Sequence, residues 1–308
     1  MRRVLAIAAV IMTAFLSGCS DITELGNRAI IQALALDYDG EIYRASALLF
    51  SSSGSGGDTI DASQENVIKV CGEGTTLTAA IDDISLTDGK EIYLCETKLL
   101  ILGGGFEYAD ADRALDILYN DMRCSLNMPV CCADKAEMLT ELRFTEGITS
   151  AEKPLSIIEN ACKSGLVPKT TLLDTLTQAA GGQPVLIPHF TETDNGSDVT
   201  SDDSGRTAVL DGTRLLSGSH LGKFSDMEQT LAFMLISGQT DSVTLSYLHG
   251  GGEETCVAYG ISVRPVETDG GSALRVTAHF RGRSGGALSA SQQQSALKRL
   301  TEIIRSGS

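Results

Sequence analysis

Apolar positions along the chain fall into three kinds of pattern. The first is a near-continuous run, Val4 to Leu16, behind the cationic start Met1-Arg2-Arg3. A membrane-spanning helix needs about 20 apolar residues, so this shorter run fits the core of a secretory signal. It ends in Leu16-Ser17-Gly18-Cys19. Small residues before a cysteine are what a lipoprotein signal peptidase reads. The pattern predicts that Cys19 is alkylated by diacylglycerol and that the chain is cut before it. The competing reading is an ordinary signal peptide with an incidental cysteine. Two acyl chains hold a protein to a bilayer stably, where one is marginal.

The second pattern is strand-like. "AIIQALALDYDGEIYRASALLFS" reads as two strands about Asp39-Gly40, because Asp-Gly between apolar runs favours a tight type I′ turn. "RTAVLDGTRLLSG" has the same form. "ENVIKVCGEG", "KEIYLCETKLLILGGG", "MPVCCAD", "PVLIPHF", "SVTLSYLHG", "TCVAYGISVRPVET" and "ALRVTAHFRG" read as further strands.

The third pattern is helical. Leu77, Ala80, Ile81 and Ile84 share one face, with Thr75 or Thr76 as cap. "YADADRALDILYNDM", "ADKAEMLTEL", "PLSIIENACKSG" and "KTTLLDTLTQAAGG" follow, the third opened by Pro154 and closed by Gly165. "SDMEQTLAFMLISG" has Ser225 and Glu228 at capping-box spacing, and "SASQQQSALKRLTEIIRS" ends the chain. Hairpins mixed with helices, rather than steady alternation, predict an α+β fold. We expect two or three mixed domains with mainly antiparallel sheets behind the signal peptide. The boundaries are 1–18 for the signal, 19–190 for the first domain, 191–204 for an acidic linker and 205–308 for a C-terminal domain. The linker assignment rests on Thr191 to Ser204, which is acidic and lacks periodicity.

Charge and composition narrow the role. The net charge of −16 becomes −18 when Arg2 and Arg3 leave with the leader. That balance argues against nucleic acid and against adhesion to an anionic membrane through basic patches. The absence of Trp and an aromatic content of 5% argue against aromatic-lined sugar or base pockets. Of eight cysteines, Cys19 is assigned to lipid. The remaining seven are an odd number and cannot all pair within one chain. Several lie in apolar patterns, where cysteine acts as a small hydrophobe, so buried free thiols are expected.

Candidate chemistry is sparse. Gly103-Gly104-Gly105 sits between a strand and a helix, but Glu107, Asp110 and Asp112 would repel a phosphate, so it reads as a turn. Asp37, Asp39 and Glu41 alternate about Gly40 without the closing Glu of a calcium loop. His189, His220, His249 and His279 recur without repeated surroundings, and none has a second His at ligand spacing. No nucleophile-base motif is present, so neither catalytic residues, a metal nor a cofactor is assigned.

The mature start resembles a known family. Cys19-Ser20-Asp21-Ile22-Thr23-Glu24-Leu25, followed by "AIIQALALD" ending at Asp37, is similar to the opening of the Ger(x)C spore germination lipoproteins, with Asp21, Glu24, Leu25, Ala33 and Asp37 on the pattern. "GEGTTLTAAIDDIS", "KEIYLCETKLLILGGGFEYADADRALDILYND" and "GRTAVLDGTRLLSGSHLGKFSDMEQTLAFMLISG" resemble later family blocks in the same order, Lys98 taking the Lys of the family's His-x-Lys strand. Ser20, Leu36 and Thr97 depart from the usual Trp, Ile and His. The C-terminal region looks shortened against the family.

The resemblance implies a non-catalytic, lipid-anchored C subunit of a nutrient germinant receptor. It would lie on the outer face of the spore inner membrane. Its partners would be a multi-spanning A subunit and a transporter-like B subunit. Cys19 would be the lipid site, and Asp21, Glu24 and Leu25 candidate partner contacts or simply the start of the first domain. The alternative is a lipid-anchored solute-binding protein working with a membrane transporter.

Overall fold

The computed structural model describes residues 28–50, 67–141, 151–194, 206–268 and 271–306. Cys19, Asp21, Glu24, Leu25 and the leader lie outside them. Two sheets organise the described residues, one of nine strands and one of three.

The larger sheet starts from a strand with almost no polar face. β1 (Arg28–Tyr38) buries Ile31, Leu34 and Leu36 on one side and Ala33 and Ala35 on the other. A register shift between Ile31 and Ala33 changes which parity faces which layer. β2 (Tyr43–Phe50) and β3 (Val67–Gly74) extend the sheet antiparallel on one edge of β1. On its other edge β1 pairs in parallel with β4 (Glu91–Tyr93) through Arg28 to Ile30, and with β5 (Leu99–Gly103) through Ala33 to Leu36. β6 (Val130–Ala133) and β7 (Val185–Asp194) continue in parallel. β8 (Arg206–Ser217) and β9 (His220–Asp226) finish the sheet antiparallel. Most strand pairings are antiparallel, and the parallel strip lies at the centre, as expected where helices cover both faces.

One face is covered by α1 (Leu77–Asp88), α2 (Ala111–Asn120) and α5 (Leu172–Ala180); the other by α3 (Ala136–Glu141) and α4 (Glu152–Lys163). β5 shows the consequence: Leu100 and Leu102 enter the first layer and Leu99 and Ile101 the second. α1 is capped by Thr76, whose side chain accepts from Ala79 N, and α5 by a reciprocal box between Thr171 and Asp174. Fully burying one such leucine contributes about 1.5–3 kcal/mol, so this two-sided strip dominates the core.

The second sheet is the meander β10 (Ser242–His249), β11 (Gly252–Thr268) and β12 (Gly271–Gly282). α6 (Met227–Ile236) and α7 (Ala290–Ser306) pack on one face. Leu231, Leu235, Ala296, Leu300, Ile303 and Ile304 meet Val243, Leu245, Tyr247, Cys256 and Ala258 there.

Several local expectations change. Asp39-Gly40 belongs to a four-residue loop, since Tyr38 pairs with Tyr43. Gly40 takes φ 105°, and Asp39 Oδ1 accepts from Glu41 N and Ile42 N, so an Asx turn replaces the tight type I′ turn. Asp211-Gly212 is not a turn: β8 runs straight through it, and the hairpin falls at Gly218-Ser219, with Gly218 at φ 59°. The strand "KEIYLCETKLLIL" is broken between Tyr93 and Leu99. α4 begins at Glu152, ahead of Pro154. The cap of α6 is Asp226 with Gln229, one residue later than Ser225 with Glu228. Thr191 to Asp194, read as the start of a loop, are the last residues of β7 and pair with Arg206 to Val209 of β8. Among the seven free cysteines of the described residues, Cys124, Cys131, Cys132 and Cys256 are buried, whereas Cys71 is exposed on β3.

Candidate functional site

The parallel strip has one chemical end. β1, β5 and β6 all finish there, and open sheets place ligands outside the carboxyl ends of parallel strands. Asp37 stands at the end of β1. Its Oδ1 accepts from Ala136 N and its Oδ2 from Glu137 N, each at 2.9 Å, which ties β1 to the start of α3. Burial raises the pKa of this carboxyl above the usual aspartate value, and the two N–H donors oppose that rise. The backbone must come close to it. A Cβ at Gly103 would lie 2.0 Å from Asp37 Oδ1, and one at Gly105 would lie 1.7 Å from the Tyr38 carbonyl oxygen. The triple glycine is thus a close-approach device, and Gly104 N donates to the Asp134 carbonyl at 3.1 Å, linking the ends of β5 and β6.

Beside this junction lies a polar cluster. His189 of β7 is buried, its side chain only 4% exposed. Its Nδ1 shares a hydrogen bond with Asp211 Oδ1 at 2.8 Å, and its Nε2 lies 3.4 Å from Asp134 Oδ1. Asp211 is in place because it is the extra residue of a β-bulge: His189 pairs with Gly212 and Phe190 with Leu210. Bulges re-aim side chains in this way. Phe224 covers the imidazole edge-on, with centroids 5.0 Å apart.

Arg214, two residues beyond Gly212, keeps 11% of its side chain exposed and sits 3.7 Å from Glu107 through Nη2. Its Nε and Nη1 are buried without a hydrogen-bond partner among the described residues. Below them, the Cys132 thiol donates toward the Pro188 carbonyl at 3.5 Å, and burial pushes its pKa far up.

This arrangement offers charge pairing, with His189 between two carboxylates and Arg214 beside Glu107. His189 presents a carboxylate where a hydrolase would present a hydroxyl, and a thiol so deeply buried stays protonated at neutral pH. Unused hydrogen-bonding capacity remains on His189 Nε2 and on Arg214, whose two orphan donors suit a carboxylate or phosphate oxygen. No group of three metal-ligating side chains is placed to hold an ion among the described residues.

Sequence reasoning missed this cluster. His189 was one of four unrelated histidines, and Asp211 was read as a turn residue. Lys98, the position shared with the family strand, is exposed and pairs with Glu152 at 3.4 Å, away from the cluster.

The family model described as "Spore germination protein N-terminal domain" matches residues 21–191. The chain belongs to the spore germination protein family. This is the Ger(x)C group that the residue blocks resemble, and the matched span carries Asp37, the glycine run, Asp134 and His189. Asp211 and Arg214 come from just beyond it. Among solved structures, the chain is similar to one titled "Crystal Structure of the GerBC protein". The identity is 14% and the TM-score 0.48, over 93% of this chain and 83% of that one. No curated protein matches the sequence.

Proposed function

We propose that this germination protein is the lipid-anchored C subunit of a nutrient germinant receptor, a non-catalytic component on the outer face of the spore inner membrane. The observation that carries the reading is the germination-family match over residues 21–191. The tether is Cys19, following the apolar leader. Among the described residues no helix is long and apolar enough to cross a membrane, so the acyl chains supply the attachment in this reading. Confinement to a surface raises the effective concentration of the protein against membrane partners without any new contact. Those partners are a multi-spanning A subunit and a transporter-like B subunit. Asp21, Glu24 and Leu25 follow the anchor directly and are the proposed contacts to them.

The experiment is germination of purified spores carrying Cys19→Ala or a full deletion, followed by dipicolinate release over a panel of amino acids and sugars. Release is expected to slow for at least one nutrient in both strains, with the Cys19→Ala protein leaving the membrane fraction. Unchanged release for every nutrient in the deletion strain would remove the receptor reading and favour the solute-binding alternative.

A further inference from the structure

The second sheet has one covered face and one open one. Strand alternation puts Val276, Ala278 and Phe280 of β12 toward α6 and α7, and Arg275, Thr277, His279 and Arg281 on the opposite side. β11 adds Tyr259, Ser262 and Arg264 to the same side, and β10 adds Thr244, Ser246 and Leu248. The arginines and His279 are exposed. In a chain of net charge −16, this face concentrates positive charge.

Two features distinguish it from an ordinary solvated surface. Arg264 and Arg275 are direct cross-strand partners, a placement that sets two like charges about 5 Å apart at their Cβ atoms and is destabilising by itself. Moreover, none of the three arginines has a carboxylate partner among the described residues. Arg264 donates to Ser262 Oγ, and Arg281 lies over the Tyr259 ring at 5.4 Å. Tyr259 in turn meets His279 at 5.6 Å. Glu253, opposite Leu248, is the carboxylate that the register places on this face, at the far hairpin.

The shape of the patch selects the partner. Arg275 and Arg281 are six residues apart on one strand, roughly 20 Å at about 3.3 Å per residue. That spread, on a flat sheet with no enclosing wall, is too wide for one small anion and suits an extended anionic surface. Tyr259 is 41% exposed and Leu248 78%. Arginine beside tyrosine and leucine is the composition that settles at a lipid headgroup layer.

We propose that the open face of the second sheet docks on an anionic phospholipid bilayer through Arg264, Arg275 and Arg281, with Tyr259 and His279 between them. Docking orients the tethered protein on the bilayer. The acidic bulk does not cancel the attraction, because charges more than about 10 Å away are largely screened at 0.1 M salt. The inference rests on the functional reading only in placing the protein at a membrane.

The test uses the mature chain from residue 19 with Cys19→Ser, so that no acyl chain contributes. Flotation is measured with vesicles of phosphatidylcholine alone and with 30% phosphatidylglycerol, in about 50 mM and 500 mM salt. Binding to the anionic vesicles alone, lost at high salt, is expected. Each basic residue near such a surface is worth about a fivefold change in partition. The triple variant Arg264→Gln, Arg275→Gln, Arg281→Gln should therefore bind about a hundredfold more weakly. A control triple at exposed positions elsewhere, Lys90→Gln, Arg113→Gln and Lys135→Gln, should bind as the parent does. Circular dichroism checks that both triples fold. Equal binding to both vesicle types, or a face triple that binds like the parent, overturns the proposal, and absent lipid binding would assign the face to an acidic protein. Because the assay needs no spores, its failure is separable from failure of the germination phenotype.

Discussion

Arg214 offers the sharpest test of the site. Two of its donors, Nε and Nη1, are buried without partners among the described residues. Leaving a buried donor unmade costs about 1–3 kcal/mol, so the two together cost about 2–6 kcal/mol. Against this stands Glu107 at 3.7 Å from Nη2. At an effective dielectric of about 20, Coulomb attraction at that distance has a ceiling of about 4.5 kcal/mol. The Glu107 side chain is 42% exposed, however, and pairs of that kind contribute about 0–1 kcal/mol. Arg214→Met keeps most of the volume, removes both orphan donors and leaves the half-exposed Glu107 to solvent, so about 1–4 kcal/mol of the donor penalty should be regained after the weak pair is lost. Urea unfolding followed by far-UV circular dichroism should show the midpoint rising by roughly 0.3–1.3 M at an m-value of about 3 kcal/mol/M. In spores the same substitution should slow nutrient-triggered dipicolinate release. Gain of stability with loss of function is the signature of a residue kept for binding. A loss of more than about 2 kcal/mol in Arg214→Met would refute the reasoning, because the guanidinium would then have to be satisfied in the folded chain.

Two further predictions concern the strand ends and the thiols. Asp37→Ala leaves the N–H groups of Ala136 and Glu137 without their acceptor and should cost about 1–3 kcal/mol in urea unfolding. Because burial raises the pKa of Asp37 in the fold, its protonated form is favoured there. The stability of the parent relative to Asp37→Asn should fall as pH rises through and above the unfolded value near 3.8, and a flat difference between pH 3 and 7 would contradict this. In the native protein a maleimide read by mass spectrometry should modify the exposed Cys71 and spare Cys131 and Cys132, whose pKa values burial raises; equal labelling of all three without denaturant would show that the sheet is not buried on both faces.

What the sequence determined by itself is local. Capping residues, apolar periodicity and glycine placement act over a few neighbours, so a cap at Thr75 or Thr76, the face of Leu77, Ala80, Ile81 and Ile84, and the three strands of the second sheet were legible, and the structure puts the cap at Thr76. The family was legible too, because its motifs keep their order along the chain. What tertiary structure decided is which residues meet. Asp211-Gly212 has the composition of a turn, but pairing with β7 on one side and β9 on the other draws it into a strand, and the surplus residue becomes a bulge aimed at His189. Asp37 reaches its two donors across about a hundred residues, and Arg264 faces Arg275 only once β11 and β12 are in register. Such contacts depend on strand register and crossover connections, and a single sequence carries no period that encodes them.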